Sequence, residues 1–186
     1  MNSWIGRIDK TTNEFIHTFG SLTDNELNWK PNPETWSIAQ NIDHLIIINQ
    51  SYFPILSLIK SPNYKPPFIA KLGFIVNFLG KSILKSVHPD RNKKMRTFSI
   101  WEPTTSHKTL DILKKFNNHQ TELKKEILAS RDLIKNKVII SSPANKNVVY
   151  TLETAFEIIV THEQRHLEQA KEVLKLLPQS TPMTQS

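Results

Sequence analysis

An all-α fold, an antiparallel four-helix bundle with one long crossover connection, is what this sequence predicts. Three observations lead there. Four long segments repeat apolar residues three or four positions apart. Glycine is scarce, with 4 in 186 residues. The one β-branched stretch, "KVIISSPANKNVVY", reads as extended but too short for a sheet. With 38% hydrophobic and 22% charged residues the chain can bury one sizeable core. A single domain over residues 1–178 is expected, with a flexible tail at 179–186.

The first helix carries Trp4, Ile8, Thr11/Thr12, Phe15, Phe19 and Leu22 on one stripe. The polar stretch "SLTDNELNWKPNPET" follows, and Pro31 and Pro33 prevent the helix from continuing through it. The second helix starts at Ser37, where Gln40 stands three residues on in capping-box order. It runs to about Ile59, with a kink expected at Pro54, and its expected inward stripe is Gln40, His44, Ile47/Ile48, Ser51 and Ile55.

The third helix carries Leu110, Leu113, Phe116, Gln120, Leu123 and Ile127, ending near "SRDLIKNK". The fourth opens around Thr151 and aligns Leu152, Ala155, Ile159, His162, His166, Gln169, Val173 and Leu176/Leu177 before Pro178 stops it. Residues 61–107 form the long connection. Within it "FIAKLGFIVNFLGKSILKSV" predicts a further short helix over the bundle mouth; its charge-free run is too short to span a bilayer, and an interfacial membrane helix is the less favoured alternative.

The absence of Cys excludes disulfides, thiolate metal ligands and a cysteine nucleophile. The N-terminal "MNSWIGRIDKTTNEF" has charges where a signal peptide has its apolar core, so a cytoplasmic address is expected. Net charge is +7, but residues 60–96 hold nine of the basic residues (Lys60, Lys65, Lys71, Lys81, Lys85, Arg91, Lys93, Lys94, Arg96) against Asp90 alone. The remainder, with 15 basic and 16 acidic residues, is near neutral, which argues against a dedicated nucleic-acid binder.

"THEQRHLEQ" spells H-E-x-x-H. Residues four apart on a helix differ by roughly 40°, so His162 and His166 share a face and their rings can converge on one ion. Both lie on the apolar stripe, where an unpaired imidazole is costly. A core histidine held by a carbonyl or by Gln169 is the plain alternative, but two at ligand spacing, together with His44 on another helix's stripe, favour a metal. The zinc-protease reading stays only as an outside alternative, because after His166 just Glu168 and Glu172 follow on the same helix where the usual third ligand is needed, and no sheet edge is expected to hold a peptide. Glu163, rotated about 100° from His162, is expected to be solvated or salt-bridged. His119 is a reserve fourth ligand; His17, His88 and His107 are expected at the surface.

"TWSIAQNIDHL" resembles the W-S-x-x-x-x-x-x-H-L entry to the second helix of the DinB-like superfamily, and "THEQRHLEQA" resembles its closing H-x-x-R-H-x-x-Q helix. The likeness extends through "MRTFSIWEPT" and "VIISSPANKNVVYTLETAFEIIVTHEQRH". It implies a four-helix bundle holding a divalent metal, zinc or nickel, on His44, His162 and His166. The long 61–107 connection departs from shorter members and bears on substrate choice.

Such relatives include transferases and isomerases that use low-molecular-weight thiols, often anionic ones, so the resemblance implies a metal that stabilises a thiolate brought in by a small cosubstrate. The runner-up is a hydrolase using water at the metal, with Glu163 or Gln40 as weak candidates to orient it; the plainer role for Gln40 is the helix cap. A metal-stabilised binding or stress-response protein without turnover is the third reading. Gln169 is expected to support a ligand histidine by hydrogen bonding. The expected partner is a small-molecule substrate, with no nucleic acid, no stable membrane insertion and a possible homodimer.

Overall fold

The computed structural model describes residues 2–90, 97–104, 107–109 and 111–178. Arg91, Lys93, Lys94 and Arg96 of the basic run, Leu110 of the third stripe, and the expected tail at 179–186 lie outside the described residues.

The four predicted helices are present as α1 (Asn2–Phe19), α3 (Ile38–Gln50), α6 (Asp111–Ala129) and α8 (Leu152–Leu176). Helix α8 packs on α1 and α3, and α6 packs on the same two, which closes a ring of four. Short elements complete the described chain: α2 (Asp24–Asn28), α4 (Phe53–Ile59), α5 (Gly73–Ser86), α7 (Arg131–Lys135), strands β1 (Ile139–Ser142) and β2 (Asn145–Thr151), and 3-10 turns at Phe68–Lys71 and Ser99–Trp101.

Capping chemistry sets where helices begin. Ser37 accepts a hydrogen bond from the Gln40 amide at 3.1 Å while the Gln40 side chain accepts from the Ser37 amide at 3.1 Å. Such a cap contributes about 1 kcal/mol and fixes the phase of α3, and therefore the direction of His44. Helix α2, inside the polar connection, uses the same device between Thr23 and Glu26.

The second predicted helix is broken rather than kinked. Pro54 has no N–H to give the Gln50 carbonyl, so α3 stops at Gln50 and α4 restarts with Pro54 in its first turn. The "KVIISSPANKNVVY" stretch corrects a second expectation: β1 and β2 pair antiparallel from Ile139↔Thr151 to Ser142↔Asn145. An isolated hairpin is marginal in water, but this one buries Ile140, Val149 and Tyr150 and packs against α5 and α8.

The core consists of two apolar clusters. One gathers Trp4, Ile8, Leu56, Leu123, Phe156 and Ile159; the other gathers Phe15, Phe19, Ile42, Phe116, Leu167 and Val173. Phe15 meets Phe116 edge-on at 5.0 Å between ring centroids. Each such fully buried side chain contributes about 1.5–3 kcal/mol. Between the clusters the buried residues are polar: Thr11 and Thr12 on α1, Asn49 on α3, His119 and Gln120 on α6, Glu163 on α8.

Helix α8 is buried on nearly every side from Leu152 to Leu167 rather than along one stripe. The expected inward stripe of α3 is likewise displaced. Its core contacts come from Ile38, Ala39, Ile42 and Leu45, while Gln40, His44 and Ile48 face a cavity.

Candidate metal centre

His44 from α3 and His162 and His166 from α8 are all buried, and one ring nitrogen of each lies within 4.8 Å of the other two. The Nε2 atoms of His162 and His166 are 3.0 Å apart. Ring-nitrogen bonds of about 2.0–2.1 Å at a tetrahedral centre place ligand atoms about 3.3 Å apart, so this spacing suits a single small cation.

The outer ring atoms are held by the chain. His44 donates from Nδ1 to the Trp101 carbonyl at 2.6 Å, and His166 donates from Nδ1 to Asn41 Oδ1 at 2.7 Å. Asn41 is itself oriented, because its amide nitrogen donates to the Ser37 carbonyl at 2.9 Å. With Nδ1 protonated in both rings, each Nε2 presents a bare lone pair.

Trp101 is fixed in turn. Its indole donates to Ser51 Oγ at 3.1 Å, and Asp43 accepts from the Thr104 amide at 2.9 Å and pairs with Lys108 at 3.3 Å. The segment 97–104 is thereby tied to α3. Trp36 covers the site, stacked on His166 at 5.8 Å and tilted over His44 at 4.8 Å.

All three imidazoles are held in the neutral form that a metal requires. Burial lowers the His44 pKa, with the Trp101 bond and Asp43 partly opposing. Burial, followed by the charges of His44 and Arg165, holds His162 well below its usual range; for His166 burial acts first, then His162, His44 and Arg165.

The histidines open onto a cavity of about 900 Å³. Its walls include Ile48, Tyr52, Leu79, Ile83, Tyr150 and Ile158. The Tyr52 and Tyr150 hydroxyls share a 2.8 Å hydrogen bond inside it. Arg165 also lines it, donating to the Ser86 and His88 carbonyls at 3.3 and 3.1 Å.

The remaining candidates take different places. Gln40 faces the cavity, but its side-chain oxygen serves the cap. Gln169 is exposed on the cavity wall and makes no hydrogen bond to a ligand histidine; Asn41 has that part. Glu163 is neither solvated nor salt-bridged. It is fully buried because α8 is covered on that side too, and its Oε1 accepts from Asn49 at 2.7 Å. Burial pushes its pKa up to about 7, opposed by Gln120 and Asn49. Gln120 acts there without reaching hydrogen-bond geometry, and Glu163 Oε2 has no partner.

His119, the reserve ligand, stands apart from the three histidines and stacks on Phe53 at 5.5 Å. Burial lowers its pKa to about 4. Sequence reasoning missed Asn41, although its position one turn before His44 was the available signal. It also missed the Trp101 carbonyl, for which a backbone atom leaves no sequence signal.

A helical bundle that gathers three buried imidazoles beside a cavity defines the class: a fold whose central helices carry a site able to hold a metal ion. The DinB superfamily model matches residues 7–170, and the chain belongs to that superfamily. No curated protein and no solved structure gives a match.

Proposed function

We propose that the protein is a divalent-metal-dependent transferase that joins a low-molecular-weight thiol to an electrophile held in the cavity. One observation carries this reading. Three buried imidazoles, two of them with Nε2 held bare by their Nδ1 bonds, face the cavity, while the carboxylates on its wall, Glu34, Glu102 and Glu172, are all exposed. A positioned base speeds attack by water, and the described cavity wall offers no buried carboxylate for that part. Glu163 does not line the cavity, and Gln40 is engaged in its cap.

His44, His162 and His166 would hold the ion, which when bound supplies Lewis-acid stabilisation of a thiolate. Zinc suits a three-imidazole set with open positions; nickel is the other candidate. The chain contributes the rest. The Trp101 carbonyl and Asn41 keep two rings aimed, Trp36 screens them from water, and Arg165 presents positive charge to an anionic thiol. In the reaction the S–H proton leaves to solvent, a sulfur–carbon bond forms and the electrophile's leaving group departs.

The test is electrophile consumption by metal-loaded protein with and without thiol. Turnover only with thiol is expected. Equal turnover without it would establish the hydrolytic reading instead, and none across a broad panel would favour a metal-stabilised binding protein. Elemental analysis of the purified protein decides between zinc and nickel.

A further inference from the structure

Helix α5 is firmly seated on one side and unpartnered on the other. A Cβ at Gly80 would stand 3.0 Å from Thr154 Cγ2 and 3.3 Å from Tyr150 Cβ, so the inner face approaches β2 and α8 as closely as a backbone can. Val76 and Gly80 are buried there. On the outer face Phe74, Phe78, Lys81 and Lys85 follow one another at helical spacing, all exposed. Phe74 and Phe78 are 74% and 69% exposed, and Phe68, in the preceding turn, is 79% exposed.

The charge on this surface is of one sign. Residues 61–89 contain four lysines (Lys65, Lys71, Lys81, Lys85) and no Asp or Glu. All four are exposed, and among the described residues none forms an ion pair; Lys71 sits 5.0 Å above the Phe68 ring. Exposed phenylalanines beside lysines are the composition of a helix that lies in a lipid interface, where aromatic rings enter the acyl boundary and long lysine stems reach the headgroups.

We infer that the outer face of α5, with the Phe68 turn before it, docks on an anionic lipid bilayer. The aromatic residues occupy the N-terminal half of the exposed stripe and the lysines the C-terminal half, so the N-terminal end enters more deeply. Charge selects this occupant over a second copy of the chain. A two-fold interface would set the same lysine-bearing segment against itself, with no carboxylate among residues 61–89 to compensate. The docking is peripheral, and it does not depend on the metal chemistry.

The experiment is flotation of the full-length protein with vesicles. Wild type floats with phosphatidylcholine vesicles containing phosphatidylglycerol, stays in solution with phosphatidylcholine alone, and is released as salt rises. Lys81→Gln/Lys85→Gln lowers partition by about 30-fold. Phe74→Ser/Phe78→Ser lowers it by at least about tenfold. Both pairs are exposed, and unchanged thermal melts verify that the variants fold. Absence of flotation by wild type, or flotation undiminished in both variants, overturns the inference. So does a soluble dimer that the phenylalanine variant converts to monomer, which would assign the face to a second copy.

Discussion

His162 and Glu163 are neighbours in sequence, yet α8 delivers them to buried polar groups of opposite character. Around His162 the groups are oriented: the outer nitrogens of His44 and His166 are satisfied and the inner ones converge beside a cavity. Around Glu163 the order is partial, with Asn49 Nδ2 donating to Glu163 Oε1 at 2.7 Å. Asn49 Oδ1, both nitrogens of His119, both amide atoms of Gln120 and Glu163 Oε2 are buried without a partner, and none of these residues lines the histidine cavity. The first group is organised for a ligand; the second is a polar layer through the core in which His119 and Glu163 respond to protons.

The largest effect is expected where the comparison is sharpest. His44→Ala should reduce bound divalent metal from one ion to none, and should abolish the fall in melting temperature that a chelator causes in wild type. An ion at 100 to 1,000 times its dissociation constant stabilises by about 2.7–4.1 kcal/mol. Unchanged stoichiometry would remove His44 from the ligand set and leave the two groups without the distinction drawn between them.

His119→Leu tests the polar layer at a distance from the ligands. Burial holds its folded pKa at about 4, below the ordinary imidazole value of about 6.5, so the unfolded chain binds the proton first and stability is lost as pH falls from 6.5 through 4. At pH 4, where the folded imidazole is half protonated and the unfolded one almost fully so, the loss is about 3 kcal/mol. Urea unfolding at pH 7 and pH 4 should therefore show a shallower acid loss in the variant. Identical pH dependence would mean that the imidazole gains a proton partner in the core.

Much of this was legible in the sequence, and the failures share a cause. The four helices follow from periodicity, and the ligand histidines from spacing on apolar stripes, because both are local or one-dimensional signals. Helical phase alone could not reveal that α8 would be enclosed on nearly all sides, so Glu163 reads as solvated in sequence and is fully buried in the fold. The same limit misplaced the face of α3: Gln40, His44 and Ile48 do lie together, but they form a cavity wall rather than core. The hairpin was missed because its stability comes from packing on α5 and α8, which short strands do not announce.

The smallest effects separate two amides that compete for one role. Gln169 stands three residues after His166 on the same helix, the position sequence reasoning favours, but its side chain is exposed. Asn41 comes from the facing helix, and its Nδ2 bond to the Ser37 carbonyl fixes which end meets the imidazole. Asn41→Ala should thus weaken metal affinity by about 10–100-fold, since His166 loses the group that sets its tautomer and orientation. Gln169→Ala should leave affinity within about twofold. Metal titration of both variants gives the answer: equal losses would place the two amides in one hydrogen-bonding network, and a loss confined to Gln169→Ala would mean that binding metal turns α8's own amide onto the ring.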